Sequence, residues 1–253
     1  MTGLRTNLAA ERDFRWRGKE VSRVEALSDC VFALALTLLV VSLEVPRTYG
    51  ELAEAFVQAP VFAVCFAILA WCWLIHYRFH RRFGLHDLGT TWLDLALLFL
   101  ILLYVYPLKF LFSFVYNVAI LGREIATTDA HGAAASMFER EAQVQHLMWI
   151  YGAGFVAIFL TYAALYARAW SKRLELELDS VERVLTKSAI HSHLASAAVG
   201  LVSIVVCAVN PRWAGWAGML YGVLGPLHFV HGSLTRRAVE RYRGKVPGAP
   251  PVA

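Results

Sequence analysis

The chain has 253 residues, of which 58% are apolar and 17% charged, and its mean hydropathy is positive. A soluble domain of this length could not hide so much apolar surface in one core, so the composition excludes a soluble globular protein and defines an integral membrane protein. The formal net charge is +5, but the basic residues gather between apolar runs, which reads as membrane topology and not as a nucleic-acid footprint.

The opening stretch "MTGLRTNLAAERDFRWRGKE" is polar and charged, and no small-residue cleavage site follows the first apolar run, so a secretory signal peptide is not expected. Spanning a bilayer takes roughly 20 apolar residues. In chain order the qualifying stretches are Val24 to Val45, Ala55 to His76, Thr91 to Phe114, His146 to Ala167, Ser188 to Val209 and Trp213 to Leu234. Six spans predict an all-α polytopic fold. Arg5, Arg12, Arg15, Arg17, Lys19 and Arg23 precede the first span, and Arg78, Arg81 and Arg82 follow the second. Arg168, Lys172, Arg173, Arg183 and Lys187 lie between the fourth and fifth, and Arg236, Arg237, Arg241, Arg243 and Lys245 follow the sixth. The other side carries only Arg47, Lys109, Arg123, Arg140 and Arg212. By the positive-inside rule both termini are cytoplasmic.

Between spans, "NPRW" at Asn210 to Trp213 predicts a tight turn. The segment from Asn117 to Gln145 has mixed charge and room for a short surface helix, and "SKRLELELDSVERVLTKS" reads as helical extensions or a connector. The tail "GKVPGAPPVA" is rich in Pro and Gly, a composition expected to be disordered. Cys30, Cys65, Cys72 and Cys207 lie inside apolar runs without paired-ligand spacing and read as small buried hydrophobes.

Polar residues inside the spans carry the functional signal. An Asp in a spanning helix costs ~2.5–3.5 kcal/mol near its centre, so it faces protein or water. Asp29 lies six residues beyond Arg23, roughly 9 Å along a helix. Trp73 and His76 sit late in the second span and Asp94 early in the third, at about the same depth. Ser28, Asp29, Trp73, His76 and Asp94 could therefore form one hydrogen-bonded network, with Arg23 offsetting the carboxylates; the alternative is that each side chain simply snorkels to the inner interface. Further along the first span, Leu34, Thr37, Leu38 and Val41 share a face at helical spacing. Such a face packs against lipid, packs against neighbours or lines a path. Around a shared axis, Leu34 would form a constriction and Thr37 a ring of hydroxyl oxygens facing a dehydrated cation.

The stretch "RVEALSDCVFALALTLLVVSLEVP" resembles the first-helix signature of the lysosomal and bacterial potassium channels of the transmembrane protein 175 family: Arg, three residues, Phe-Ser-Asp, an apolar run with an embedded Thr, and a closing Pro. Here it reads Arg23, Leu27-Ser28-Asp29, Thr37 and Pro46, and Trp73 with His76 is similar to the family's Trp-x-x-His-His segment. Three positions depart from the pattern: Leu27 replaces Phe, Tyr77 replaces the second His, and Asp94 stands where Asn is usual. The resemblance covers about the first half of the chain.

It implies six transmembrane helices per chain, four chains around a pore lined by the first helix, and no TVGYG filter. It implies a leak-type channel of the plasma membrane, passing potassium and more weakly other monovalent cations, with membrane lipid and further copies of the chain as partners and no nucleic acid. Leu34, Leu38 and Val41 would form the hydrophobic gate, Thr37 would set cation selectivity, and Arg23, Ser28, Asp29, Trp73, His76 and Asp94 would hold the helices in register. No enzyme activity, cofactor or metal beyond permeant K+ is expected. The corresponding organisation is a cytoplasmic segment 1–22, a six-helix channel domain 23–235, and a basic then disordered cytoplasmic tail 236–253.

Two other readings compete. Asp29 and Asp94 could bind the coupling ion of a secondary transporter, but such folds break matched helices near the midplane, and the first two spans read as uninterrupted. His76, His80 and His86, with His191, His193, His228 and His231, could form a membrane iron oxygenase, though no His-x-x-His-His triplet occurs.

Overall fold

The computed structural model describes residues 14–41, 46–122 and 137–243. Every regular element among them is helical: α1 (Arg23–Val41), α2 (Tyr49–Val57), α3 (Ala59–Phe83), α4 (Leu88–Val115), α5 (Met137–Ser171), α6 (Ser180–Val209), α7 (Ala214–Met219) and α8 (Leu224–Arg243). Four stretches are long and apolar enough to cross a bilayer: Ala59–Phe83, Leu88–Ile120, Ala142–Ser171 and Ser180–Val209. The protein is thus a multi-pass, all-α membrane protein.

Local chemistry sets the helix ends. At the start of α1 the Ser22 hydroxyl accepts from the Glu25 N–H (3.2 Å), and the Glu25 carboxylate accepts from the Ser22 N–H (3.1 Å). This reciprocal pair satisfies two donors that the first turn would otherwise leave orphaned. The second span is not uninterrupted as the sequence suggests: α2 ends at Gln58, and α3 begins with Pro60 in its first turn. Proline lacks the N–H and crowds the carbonyl four residues back, so it starts a helix more readily than it continues one. α3 then runs past His76 to Gly84, whose φ of 57° makes the left-handed cap and whose N–H donates to His80 O at 2.8 Å. A Cβ on Gly84 would stand 3.0 Å from Gly18 N, because the N-terminal segment crosses the end of α3 there.

α4 is capped by Asp87, which accepts from Gly89 N–H and from the Thr90 hydroxyl; it continues through Pro107 into a π-helical turn, Tyr116–Ile120. α6 opens with a second reciprocal cap, Asp179 with Glu182, eight residues earlier than the apolar run implies. The connector between α5 and α6 is therefore a short turn, with Glu177 at positive φ (47°), and not a long linker.

The predicted sixth span is broken. Pro211–Trp213 forms the tight turn, as a 3-10 helix, but α7 ends at Met219, a second 3-10 turn covers Leu220–Val223, and α8 begins only at Leu224. Gly215, Gly218, Gly222, Gly225 and Pro226 weaken helix continuity through this stretch. α8 extends to Arg243, so the basic part of the predicted tail is helical; residues 244–253 lie outside the described residues, as do 1–13, 42–45 and 123–136.

α1 packs against α3 and α4, α4 against α5, α5 most extensively against α6, and α6 against α8. Small residues allow the close contacts: a Cβ on Gly154 would meet the Tyr104 ring at 2.4 Å, and one on Gly200 would meet Val156 at 2.8 Å. Phe79, Phe83, Tyr162 and Tyr166 form the fully or nearly fully buried aromatic centre, with the Tyr162 hydroxyl donating to Cys72 O at 2.7 Å. The segment before α1 belongs to this body. Phe14 is buried edge-on against Phe83, and Arg17 donates to both carboxylate oxygens of the fully buried Glu182, at 3.0 and 2.6 Å.

Candidate functional site

Two features of α1 define the site. The first is a face that no other helix covers among the described residues. Leu27, Cys30, Leu34 and Thr37 follow one another at spacings of three and four residues and are all exposed. Leu34 keeps 49% of its surface accessible, unlike Phe32, Ala35 and Leu39, which face the bundle and are buried. Leu38 sits at the rim, half-buried against the core, so it is not fully on the open face. The side chain of Val41 lies outside the described residues. The Thr37 hydroxyl donates to Ala33 O at 2.9 Å; its proton is thereby used on its own helix and its lone pairs remain outward. Cys30, expected to be buried, is exposed on this same face; helical phase relative to Leu34 was the signal that could have placed it there.

The second feature is the junction of α1, α3 and α4. The predicted polar residues meet in two groups. Trp73 Nε1 donates to Asp29 Oδ1 at 2.8 Å, joining α3 to α1. Below it in the bundle, His76 Nε2 lies 3.2 Å from Asp94 Oδ1 and 3.5 Å from Ser28 Oγ, so one imidazole touches both neighbouring helices. The Ser28 hydroxyl donates to Val24 O at 2.8 Å. Arg23 is exposed and pairs with neither aspartate among the described contacts. In its place stands His80, one turn after His76: its Nε2 is 3.2 Å from His76 Nε2 and 3.3 Å from Asp94 Oδ1. The i, i+4 spacing of the two histidines was the readable signal for this partner.

His86 stacks on His80 with ring centroids 6.5 Å apart, whereas His193, His228 and His231 lie elsewhere. His228 meets Ser192 and Ser196, His231 meets Ser188, and His193 stacks against Tyr162. At the far end of the α3–α4 turn, Asp87 pairs with Arg168 of α5 (Nε to Oδ2, 2.8 Å). The Arg168 guanidinium holds the Asp87 carboxyl below the usual carboxylate range.

α1 thus joins an exposed, largely apolar face bearing a hydroxyl to a buried polar junction with α3 and α4. Residues 23–104 match the family described as endosomal/lysosomal potassium channel TMEM175. The chain is 36% identical over 241 residues to a potassium channel of Marivirga tractuosa, covering 90% of this chain and 93% of that one. It is also 30% identical over 88 residues to a potassium channel of Streptomyces collinus, covering 32% of this chain and 43% of the other. Among solved structures it resembles the crystal structure of a variant of the potassium channel MtTMEM175 in complex with a nanobody-MBP fusion protein, with a TM-score of 0.74, 35% identity, and coverage of 93% of this chain and all of that one. A TMEM175 homologue from Chamaesiphon minutus shares the fold at a TM-score of 0.53 and 19% identity, over 83% of this chain and 96% of that one. This chain belongs to the TMEM175 family. Its relatives are channels and not enzymes, and the oxygenase reading of the histidines is dropped.

Proposed function

We propose that the chain is one subunit of a potassium-permeable, leak-type cation channel of the plasma membrane, a homotetramer in which the α1 helices of four copies line the pore. The observation that carries this reading is the uncovered face of α1. An apolar stripe bearing Leu34 and Thr37 has no covering helix among the described residues, and a ring of copies would both bury it and leave an axial path. Leu34 is the constriction that water enters with difficulty; Thr37 is the layer of oxygen ligands next to it. Leu38 and Val41 extend the apolar wall. The relatives named as potassium channels support the permeant ion.

Six membrane crossings follow if α1 with the chain to Pro46 forms the first and the broken segment from Trp213 forms the last. The Lys and Arg distribution then leaves both termini in the cytoplasm, and residues 23–235 form the channel domain between a cytoplasmic N-terminal segment and a basic tail. Ser28, Asp29, Trp73, His76 and Asp94 hold the pore helix in register against α3 and α4. Transport by alternating access is the weaker alternative, because the break at Gln58 joins α2 to α3, whereas the stretch around Leu220 packs on α6 and α8.

Reconstitution of the purified chain into potassium-loaded liposomes tests the reading. Flux that rises linearly with driving force and falls when Na+ replaces K+ is expected. Saturating, coupled exchange would establish the transporter, and an impermeable, monomeric protein would end the channel reading.

A further inference from the structure

His76, His80 and Asp94 are 2%, 1% and 1% exposed, and their contacts are hard to satisfy as hydrogen bonds alone. His76 Nε2 faces three polar atoms at once: Asp94 Oδ1 (3.2 Å), His80 Nε2 (3.2 Å) and Ser28 Oγ (3.5 Å). An imidazole nitrogen carries one proton or one lone pair, directed along one line in the ring plane, so it serves one of these partners. His80 Nε2 is in the same position, 3.3 Å from Asp94 Oδ1 and 3.3 Å from Oδ2. Yet Asp94 Oδ2 accepts no hydrogen bond, and His80 Nδ1 is buried without a partner. Three polar atoms crowded together, with hydrogen bonds enough for only some of their contacts, make a buried network that is costly as it stands.

The geometry has a simpler reading. Two imidazole nitrogens and one carboxylate oxygen form a nearly equilateral triangle with edges of 3.2, 3.2 and 3.3 Å. Ligands about 2.0–2.1 Å from a tetrahedral Zn²⁺ lie about 3.3–3.4 Å from one another, so the triangle has nearly the size of one face of such a site. The donor set, two histidines one turn apart on a helix and a carboxylate from a neighbouring helix, suits zinc and not an alkali or alkaline-earth ion.

We propose that His76, His80 and Asp94 form a buried binding site for a divalent transition-metal ion, zinc by its donors, with Ser28 Oγ or a water in the fourth position. Glu25, His80 and His86 place a further set of ligand atoms within 4.8 Å of one another. His86 is exposed while Glu25 and His80 are buried, so this second set shares His80 with the first and reaches the surface. The carboxyl groups of Asp94 and Glu25 can balance its two charges. The site clamps α1 to α3 and α4 behind the open face, without contact with that face.

The test uses the full chain in detergent, stripped with a chelator and then titrated with Zn²⁺ alone, with metal content measured after dialysis. About one Zn²⁺ per chain is expected, with a rise in melting temperature. Asp94→Asn keeps shape and hydrogen-bonding capacity while removing the anionic ligand; it and His80→Gln should each weaken binding by on the order of tenfold or more. His228→Gln, outside the site, should leave binding unchanged. Co²⁺ in the wild-type protein supplies a readout independent of any variant, since a tetrahedral N/O site gives intense visible d–d bands. Zinc uptake no greater than in a blank, equal uptake by wild type and both site variants, or a weak octahedral cobalt spectrum would each overturn the proposal. None of these measurements involves ion flux, so the metal site and the channel reading fail separately.

Discussion

The indole N–H of Trp73 reaches Asp29 Oδ1 over 2.8 Å, so a carboxylate on α1 that is exposed within the chain is held from the side by α3. Asp29 lies five residues before Leu34 on α1, and the proposed role of the pair is to hold that helix in register. Asp29→Ala and Trp73→Phe should each lower stability by about 1 kcal/mol and weaken association of chains more than they alter ion preference. Size-exclusion in mild detergent and a double-mutant cycle on melting temperature measure this. Intact assembly with changed ion preference would move Asp29 from a scaffold role to the permeation path.

Leu34 and Thr37 should separate in their effects. If Leu34 forms the proposed collar, Leu34→Ala should make it wider and easier to wet, and raise potassium flux in liposomes severalfold with little change in ion preference. Thr37→Val keeps the shape but removes the oxygen, and should lower the preference for K+ over Na+. Flux unchanged in the first variant, or preference unchanged in the second, would take that residue out of the pore.

Arg17 and Glu182 join the N-terminal segment to the start of α6. Glu182 is fully buried, while the Arg17 side chain is 17% exposed. Without Arg17 the Glu182 carboxylate keeps only backbone donors, the Arg15 and Asp179 N–H groups. Arg17→Ala should therefore destabilise by about 3 kcal/mol, in the range for breaking a buried ion pair from one side. Glu182→Gln should cost less, because no unpaired charge is buried. Thermal unfolding in detergent checks the order of the two variants.

The Asp87–Arg168 pair should make stability sensitive to acid. The carboxyl of Asp87 is held below its ordinary range mainly by the hydrogen bond from Arg168. A carboxyl whose folded pKa is depressed gives its full stabilisation above the unfolded value, near 4, and loses it as pH falls. The melting temperature of the wild type should thus fall as the pH drops below about 4 more steeply than that of Asp87→Asn. The pair is 25% and 35% exposed, so raising the salt concentration should shrink the difference.

Much of this was readable before any coordinates. The apolar runs determined an all-helical membrane protein, and the coincident depth of Ser28, Asp29, Trp73, His76 and Asp94 marked the α1–α3–α4 junction. Depth follows directly from counting residues along a helix of fixed rise, which is why Asp29 can face Trp73, and His76 both Ser28 and Asp94, across the helices. Counting cannot say how two helices are rotated against each other. That rotation brought His80 into the junction, left Arg23 outside it, turned Leu38 to the rim and exposed Cys30. The breaks at Gln58 and after Met219 were also decided in three dimensions: hydropathy averages over a window, whereas Pro60 and the glycines of the last segment act through single backbone donors and dihedrals. Sequence therefore set which residues lie at which level of the membrane, and tertiary packing decided which of them touch, because side-chain contact depends on azimuth as well as height.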